Sequence, residues 1–391
     1  MTRGHFVMVR ETDFLIIGAG PFGLAMAAYA KQYNIDHLIV GRPMDFWKSN
    51  MPKGMFLRSG LDWHLDPLET HTLEKYLEAK KISPDTVEPI PVDFYLDYSQ
   101  WFMEQKRIEP IEDFVERLCW SPDKQKPFEA TMETGETIQA TNVLLAIGFR
   151  YFKNIPEELA QIVPAGFFSH TCDLVEFDSL KRKRCLIIGG RQSAFEWAAL
   201  IHEAGAASVH VSHRQDTPAF TKSDWSWTEQ MIKGLDKDPG SFRKLSPEER
   251  EEINQRFWAE GRSKLEPWLW PRINKETIKI WPKTKVVKCD ELPTGDLEIT
   301  LSTEAKFVVD HVVFATGYKV NIGNVPFLAE GKILDKLKTK EGSPVLDEHF
   351  QTNIPGLFIT SMPATRDFGA FFAFTVSVNA SAKIIGSNII G

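Results

Sequence analysis

A strand, a glycine turn and a helix are written twice in this chain, and that repetition restricts the folds open to it. The first copy is DFLIIGAGPFGLAMAAYA, Asp13 to Ala30: an apolar strand, then Gly18-Ala19-Gly20-Pro21-Phe22-Gly23, then a small-residue helix. In such a unit Gly18 permits the tight turn, Gly20 lets the backbone approach a pyrophosphate, and Gly23 allows close helix–strand packing. The helix start offers free N–H groups and a positive dipole end to the phosphates. The second copy is RCLIIGGRQSAFEWAALIHE, Arg184 to Glu203. It keeps strand and helix, but Arg191 replaces the middle glycine and Ala194 the last.

Spacing ties the copies together. From Gly18 to the Ala146 of NVLLAIGFRY is 128 positions; from Gly189 to the Ala315 of DHVVFATGYKV is 126. Equal self-similarity at that period predicts two nucleotide-binding units, and hence electron transfer between two bound nucleotides. The expected fold class is α/β, with two Rossmann-like dinucleotide-binding domains in a glutathione-reductase-like FAD/NAD(P) arrangement and a helical insert.

The second strands end differently from a standard NAD site. HLIVGRPMDFW, His37 to Trp47, puts Gly41 and Arg42 where an acid usually holds a ribose. SVHVSHRQDTP, Ser208 to Pro218, puts Ser212 at that place and Arg214 two positions on. A carboxylate would repel a 2′-phosphate, whereas a guanidinium pairs with it, so this half is expected to take NADPH rather than NADH.

Charge and cysteine usage narrow the function further. A net charge of −7 gives no reason to expect nucleic acid or an anionic membrane as partner. Cys119, Cys172, Cys185 and Cys289 form no CxxC pair, which argues against a zinc cluster, a metal site or a dithiol redox centre. The N-terminal MTRGHFVMVRETD lacks a signal-peptide run, and the apolar tail FGAFFAFTVSVNASAKIIGSNIIG reads as a packed helix rather than a membrane span. A cytoplasmic protein with a small-molecule substrate is expected; a homodimer is compatible with this.

GAGPFG, the second turn and the pair AIGF/ATGY resemble the flavin-dependent, class B-like monooxygenases with two dinucleotide domains: FMO-like, Baeyer–Villiger and N-hydroxylating enzymes. The resemblance runs from about Asp13 to the end. It implies FAD on Gly18, Gly20, Pro21, Phe22 and Gly23, with Arg42, Trp47 and Gly148 nearby. It implies NADPH on Gly189, Arg191, Gln192, Ser193 and Arg214, and further cofactor contacts at Thr316, Gly317, Asp367 and Gly369. The implied FAD domain is discontinuous, residues 1–160 and 310–391. The NADPH domain is then 161–309, with a tryptophan-rich helical insert at about 220–282.

The implied chemistry is reduction of FAD by NADPH, addition of O2 at flavin C4a, and transfer of one oxygen from that (hydro)peroxyflavin to an amine, thioether or ketone. MPKGMFLRSGLDWHLDP, Met51 to Pro67, comes after the first unit and offers Arg58, Ser59, Asp62 and His64. Arg58, Ser59, His64 and His170 are the catalytic candidates. The family's active-site Asn is replaced by the RSG stretch. The interdomain motif is also partial: Gly166 and His170 are present, but Pro164 and Leu174 stand at its two aromatic positions. A core role for His170 remains an alternative, and Cys172 reads as a lone buried thiol.

The insert holds Trp225, Trp227, Trp258, Trp268, Trp270 and Trp281. They suit either an aromatic lid or a helical core. SPEEREE predicts a helix start with Ser246 as N-cap and Pro247 at the first helical position. Phe94, Tyr98 and Phe102 fall on one face of another predicted helix and are expected in the core. Two alternatives stand beside oxygenation: an NADPH-dependent flavin oxidoreductase with a non-oxygen acceptor, and a degenerate nucleotide-binding sensor.

Overall fold

The computed structural model describes residues 9–235 and 237–391. Aliphatic strand runs buried on both faces demand parallel sheets covered by helices, and the chain builds two of them. In the first, Val9–Ile17 lies between His37–Val40 and Thr137–Leu145, all parallel, and Leu357–Ile359 returns beside the second half of Thr137–Leu145. The first half of that long strand pairs antiparallel with Phe128–Met132, which pairs with Val115–Trp120. The second sheet is wholly parallel, in the order Phe168–His170, His311–Phe314, Arg184–Ile188, Ser208–Ser212, Ile278–Trp281. An antiparallel trio, Val286–Glu291, Leu297–Leu301 and Lys306–Val309, accompanies it. The expected α/β class with two dinucleotide-binding folds is what forms.

The sequence period has a physical cause. In the first copy the Gly18 N–H donates to the Val40 carbonyl and the Ala146 N–H to Ile17. In the second the Gly189 N–H donates to Ser212 and the Ala315 N–H to Ile188. A Cβ on Gly18 would stand 2.3 Å from the Ala146 carbonyl oxygen, and one on Gly189 2.4 Å from that of Ala315. Each glycine turn is thus wedged against its own Ala-x-Gly segment, and only glycine fits.

Two boundaries differ from the sequence expectation. His311–Phe314 sits inside the second sheet, between Phe168–His170 and Arg184–Ile188, so the chain leaves that body after this strand and not at 310. Ile278–Trp281 pairs with Val209–Ser212 as an edge strand, so the helical insert ends before it. Trp281 accordingly stacks on His210 and Phe307 at 6.0 and 5.5 Å.

The insert comprises helices Ser226–Leu235, Ser241–Lys244 and Pro247–Phe257, the last running into a π-helical turn, Trp258–Arg262. Ser246 and Glu249 form the reciprocal capping box, with Pro247 at the first helical position as expected. Tyr95, Tyr98 and Phe102 of helix Val92–Lys106 are fully buried, with Phe94 half-buried beside them. The C-terminal helix Val378–Ile390 packs on Pro21–Gln32, where Gly386 leaves room for the Tyr29 ring and Ser387 meets the Tyr29 hydroxyl at 3.2 Å. Among the described residues no helix is long and apolar enough to cross a membrane.

Candidate active site

Both glycine turns open on one cleft of about 380 Å³, at the C-terminal ends of the parallel strands where such folds bind their ligands. Gly18, Gly20, Pro21, Phe22, Arg42, Trp47 and Gly148 line it from the first body; Arg191, Gln192, Ser193 and Gly317 line it from the second. Gly20 and Arg191 occupy equivalent places, the extended N-cap of helix Pro21–Gln32 and of Gln192–Glu203. A Cβ on Gly20 would meet nothing within 4 Å, which leaves its backbone open to a ligand. At Arg191 the same backbone carries a side chain, whose guanidinium donates to Ser263 Oγ at 2.7 Å and lies over the Trp258 ring. Gly23 allows the close packing of helix on turn, since a Cβ there would fall 1.8 Å from the Gly18 carbonyl oxygen.

The two bodies meet at their Ala-x-Gly ends. Phe149 and Tyr318 pack edge to face at 4.9 Å, and the Asn154 N–H donates to the Gly317 carbonyl at 2.9 Å. Across the cleft the Phe56 N–H donates to Glu196 Oε1 at 2.8 Å. Glu196 is fully buried, its other oxygen has no partner among the described residues, and burial raises its pKa to about 7.

Arg58 and Ser59 both line the cleft. The Arg58 guanidinium is held by Glu266 at 3.1 Å and by the Gly261 carbonyl at 2.8 Å, with Ser223 Oγ also accepting. Glu266 in turn is fixed through its N–H to Gln192 Oε1 at 3.1 Å, so the second glycine turn and the insert jointly orient Arg58.

Several expected site residues lie elsewhere. His170 is fully buried: Nε2 donates to the Gly317 carbonyl at 3.1 Å and Nδ1 accepts from the Cys172 N–H at 3.2 Å. Both nitrogens have partners and burial lowers the pKa of the ring, so the structure places His170 in the core, the alternative reading of this residue. Cys172 beside it has its thiol pushed up to about 12 by burial and is inert as a nucleophile. His64 is outside the cleft lining; its Nδ1 accepts from the Asp66 N–H at 3.2 Å and lies 3.4 Å from Asn379, and burial lowers its pKa. Asp62 is exposed.

Of the cofactor candidates, Thr316 is outside the lining and donates to the Asn154 carbonyl. Asp367 is buried, accepting from the Leu346 N–H at 2.8 Å, and Gly369 packs against the Phe371 ring. Gly189 packs under Ala315. Arg214 is exposed beyond strand Ser208–Ser212, with no ion pair among the described residues.

Glu196, Arg262, Glu266 and Phe374 are site residues that sequence reasoning does not single out. Glu196 leaves a signal: an acid inside the apolar run SAFEWAALI, one helical turn beyond Gln192. Of the insert's tryptophans, Trp225 reaches the cleft, Trp227 is core, Trp268 packs against Phe56 at 5.0 Å, and Trp258 and Trp270 are exposed at 39% and 46%.

The sequence profile of the pyridine nucleotide-disulphide oxidoreductases matches residues 15–256, well over half the chain and both glycine turns. The chain belongs to the pyridine nucleotide-disulphide oxidoreductase family. One relative of this oxidoreductase is the FAD-dependent urate hydroxylase of Xanthomonas campestris pv. campestris, 24% identical over 217 residues. That match covers 52% of this chain and 45% of the hydroxylase, so the chain spans less than half of that relative. Indole-3-pyruvate monooxygenase YUCCA6 of Arabidopsis thaliana is 25% identical over 376 residues, covering 85% of this chain and 81% of that one. In fold, the oxidoreductase resembles the ornithine N-hydroxylase of Kutzneria sp. 744, with a TM-score of 0.79 at 14% identity over 97% and 99% of the two chains. Among the described residues no cysteine lines the cleft, although the family name refers to disulphides.

Proposed function

We propose that this oxidoreductase is an FAD- and NADPH-dependent monooxygenase acting on a small organic substrate, an amine, thioether or ketone, with O2 as co-substrate. The observation that carries the reading is that two dinucleotide turns open on one cleft whose lining contains no thiol. Disulphide reduction proceeds through attack by a thiolate, and among the described residues none stands in that lining. The two relatives named as a hydroxylase and a monooxygenase support the same direction.

The residues fit the two cofactors. The open space above Gly20 and the free N–H groups at the start of Pro21–Gln32 suit the FAD pyrophosphate, with Arg42, Trp47 and Gly148 alongside. Arg191, Gln192 and Ser193 repeat that cradle for NADPH, and Arg214 stands free for its 2′-phosphate. The first body, through about residue 160 and again after Phe314, then holds FAD; the body between holds NADPH. FAD reduced by NADPH supplies the activation of O2. The chain itself excludes water with Trp63, Trp225, Phe371 and Phe374 on the cleft wall and holds Arg58 in one orientation through Glu266.

The test is to reduce the purified protein anaerobically with NADPH, admit O2, and track flavin absorbance in stopped flow. The expected result is a near-ultraviolet absorbance phase that persists after mixing. Immediate reoxidation with stoichiometric peroxide would overturn oxygenation in favour of an oxidase. A protein purified without flavin would overturn the flavoprotein reading altogether.

A further inference from the structure

The cleft carries more positive charge than its own residues neutralise. Arg58, Arg191 and Arg262 all line it. Arg58 has Glu266 as counter-ion, whereas among the described residues Arg191 has the Ser263 hydroxyl and the Trp258 ring and no carboxylate. Arg262 makes no ion pair or hydrogen bond among the described residues; its guanidinium lies 5.1 Å from the centre of the Phe374 ring. Burial and the like charges of Arg58 and Arg191 depress its pKa to about 10, and it stays protonated at neutral pH. A half-buried guanidinium held against two others on one cleft wall is costly unless an anion completes the site.

The local backbone explains how it comes to be there. Helix Pro247–Phe257 does not stop at its last regular turn but widens into the π turn Trp258–Arg262. Such turns are uncommon and recur at functional sites. Here the turn seats Gly261 under the Trp225 ring, where a Cβ would fall 2.0 Å from the indole, and brings the next residue, Arg262, to the cleft. Trp225 adds an independent observation: it lines the cleft, and its buried Nε1–H has no acceptor among the described residues.

We propose that Arg262, with Arg58 and the Trp225 indole N–H, forms a subsite for the carboxylate of the substrate, so that the enzyme acts on an apolar or aromatic acid. The Arg262 guanidinium and the Trp225 indole N–H are donors without acceptors among the described residues, and a planar carboxylate matches the guanidinium fork. The surrounding Trp63, Phe257, Phe371 and Phe374 would cover the apolar remainder. Arg191, in the second glycine turn itself, is left to the phosphates of the nicotinamide dinucleotide. Calling the ligand a substrate rests on the monooxygenase reading; the anion site does not.

The experiment is calorimetric titration of the FAD-loaded protein with 3-phenylpropionate, with its neutral isostere 3-phenylpropanamide, and separately with NADP+. In the wild type the carboxylate is expected to bind at least about tenfold more tightly than the amide. Arg262→Met should erase that gap and Arg262→Lys should keep part of it, while NADP+ affinity changes by less than about threefold. Equal affinity for acid and amide, or no binding of either, overturns the proposal from the wild-type protein alone, without any variant. A loss of NADP+ affinity in Arg262→Met as large as the loss for the acid assigns the arginine to the cofactor phosphates and also overturns it. Because no turnover is measured, acid-selective binding in a protein that fails to oxygenate would refute the monooxygenase reading and leave the anion site standing.

Discussion

Gly41 shows why the first nucleotide unit lacks an acid at its second strand's end. Its φ is +141°, and a Cβ there would stand 2.8 Å from the Ala19 nitrogen and 3.3 Å from Gly18 Cα. Those are backbone atoms of the glycine turn and cannot give way, so any side chain at 41 displaces the phosphate cradle itself. Gly41→Glu is therefore expected to lose bound FAD rather than gain a ribose contact; undiminished flavin-to-protein absorbance after purification would contradict this. Arg42 and Arg150 instead stack on Phe114 at 4.8 and 4.3 Å, and Arg150 pairs with Asp45, which gives that end of the cleft a rigid cationic edge. In the second unit Arg214 has no such tie. Arg214→Ala is expected to raise KM for NADPH about tenfold and leave KM for NADH unchanged, the loss of one charge-assisted pair. An equal rise for both cofactors would remove the 2′-phosphate role.

At the scale of elements, the exposed start of helix Pro247–Phe257 gives a direct measurement. Ser246→Ala removes one half of the capping box and should cost about 1 kcal/mol in urea unfolding. No change in midpoint would mean that the insert melts separately from the bodies. This helix start, like the first glycine turn, is readable in the sequence because its constraint is local: the donor and acceptor are three positions apart. The turns and their Ala-x-Gly partners are legible for a related reason, since duplication exposes a long-range contact as a repeated spacing. The chain beyond helix Pro247–Phe257 is not legible in this way. Arg58 and Glu266 are 208 positions apart, and no neighbouring residue betrays that they meet. The π turn has no sequence signature, so nothing local marks Arg262. His64 and His170 mislead in the opposite way: residue type suggests chemistry, but short-range backbone partners have already taken ring nitrogens of both. The strand His311–Phe314 falls on the wrong side of the sequence boundary because sheet membership depends on pairing with Phe168–His170, which no local pattern encodes.

For the molecule as a whole, the contact between the Phe56 N–H and Glu196 couples the bodies to pH. The folded-state pKa of Glu196 is raised from 4.5 to about 7, so between those values the folded protein holds a proton that the unfolded chain has released. Its contribution to stability is therefore present at low pH and declines as pH rises from about 4.5 to about 7, by on the order of 3 kcal/mol at most. Glu196→Gln keeps the oxygen that accepts from Phe56 and removes the titration. The variant should gain on the wild type as pH rises through that window and melt at a higher temperature at pH 8; parallel curves for the two would refute the assignment. The wedge of each glycine turn against its Ala-x-Gly segment has a different consequence. Because the ends of each nucleotide unit are pinned to one another, the chain between strands Ser208–Ser212 and Ile278–Trp281 is an excursion whose length costs stability only slowly. Exchanging that stretch for another helical segment would re-dress the cleft wall, but the replacement would have to restore what Trp227, Ile232, Leu235 and Phe257 bury in the first core and Leu265, Leu269 and Ile273 in the second. It would also need a carboxylate at the place of Glu266, without which Arg58 would lose its counter-ion.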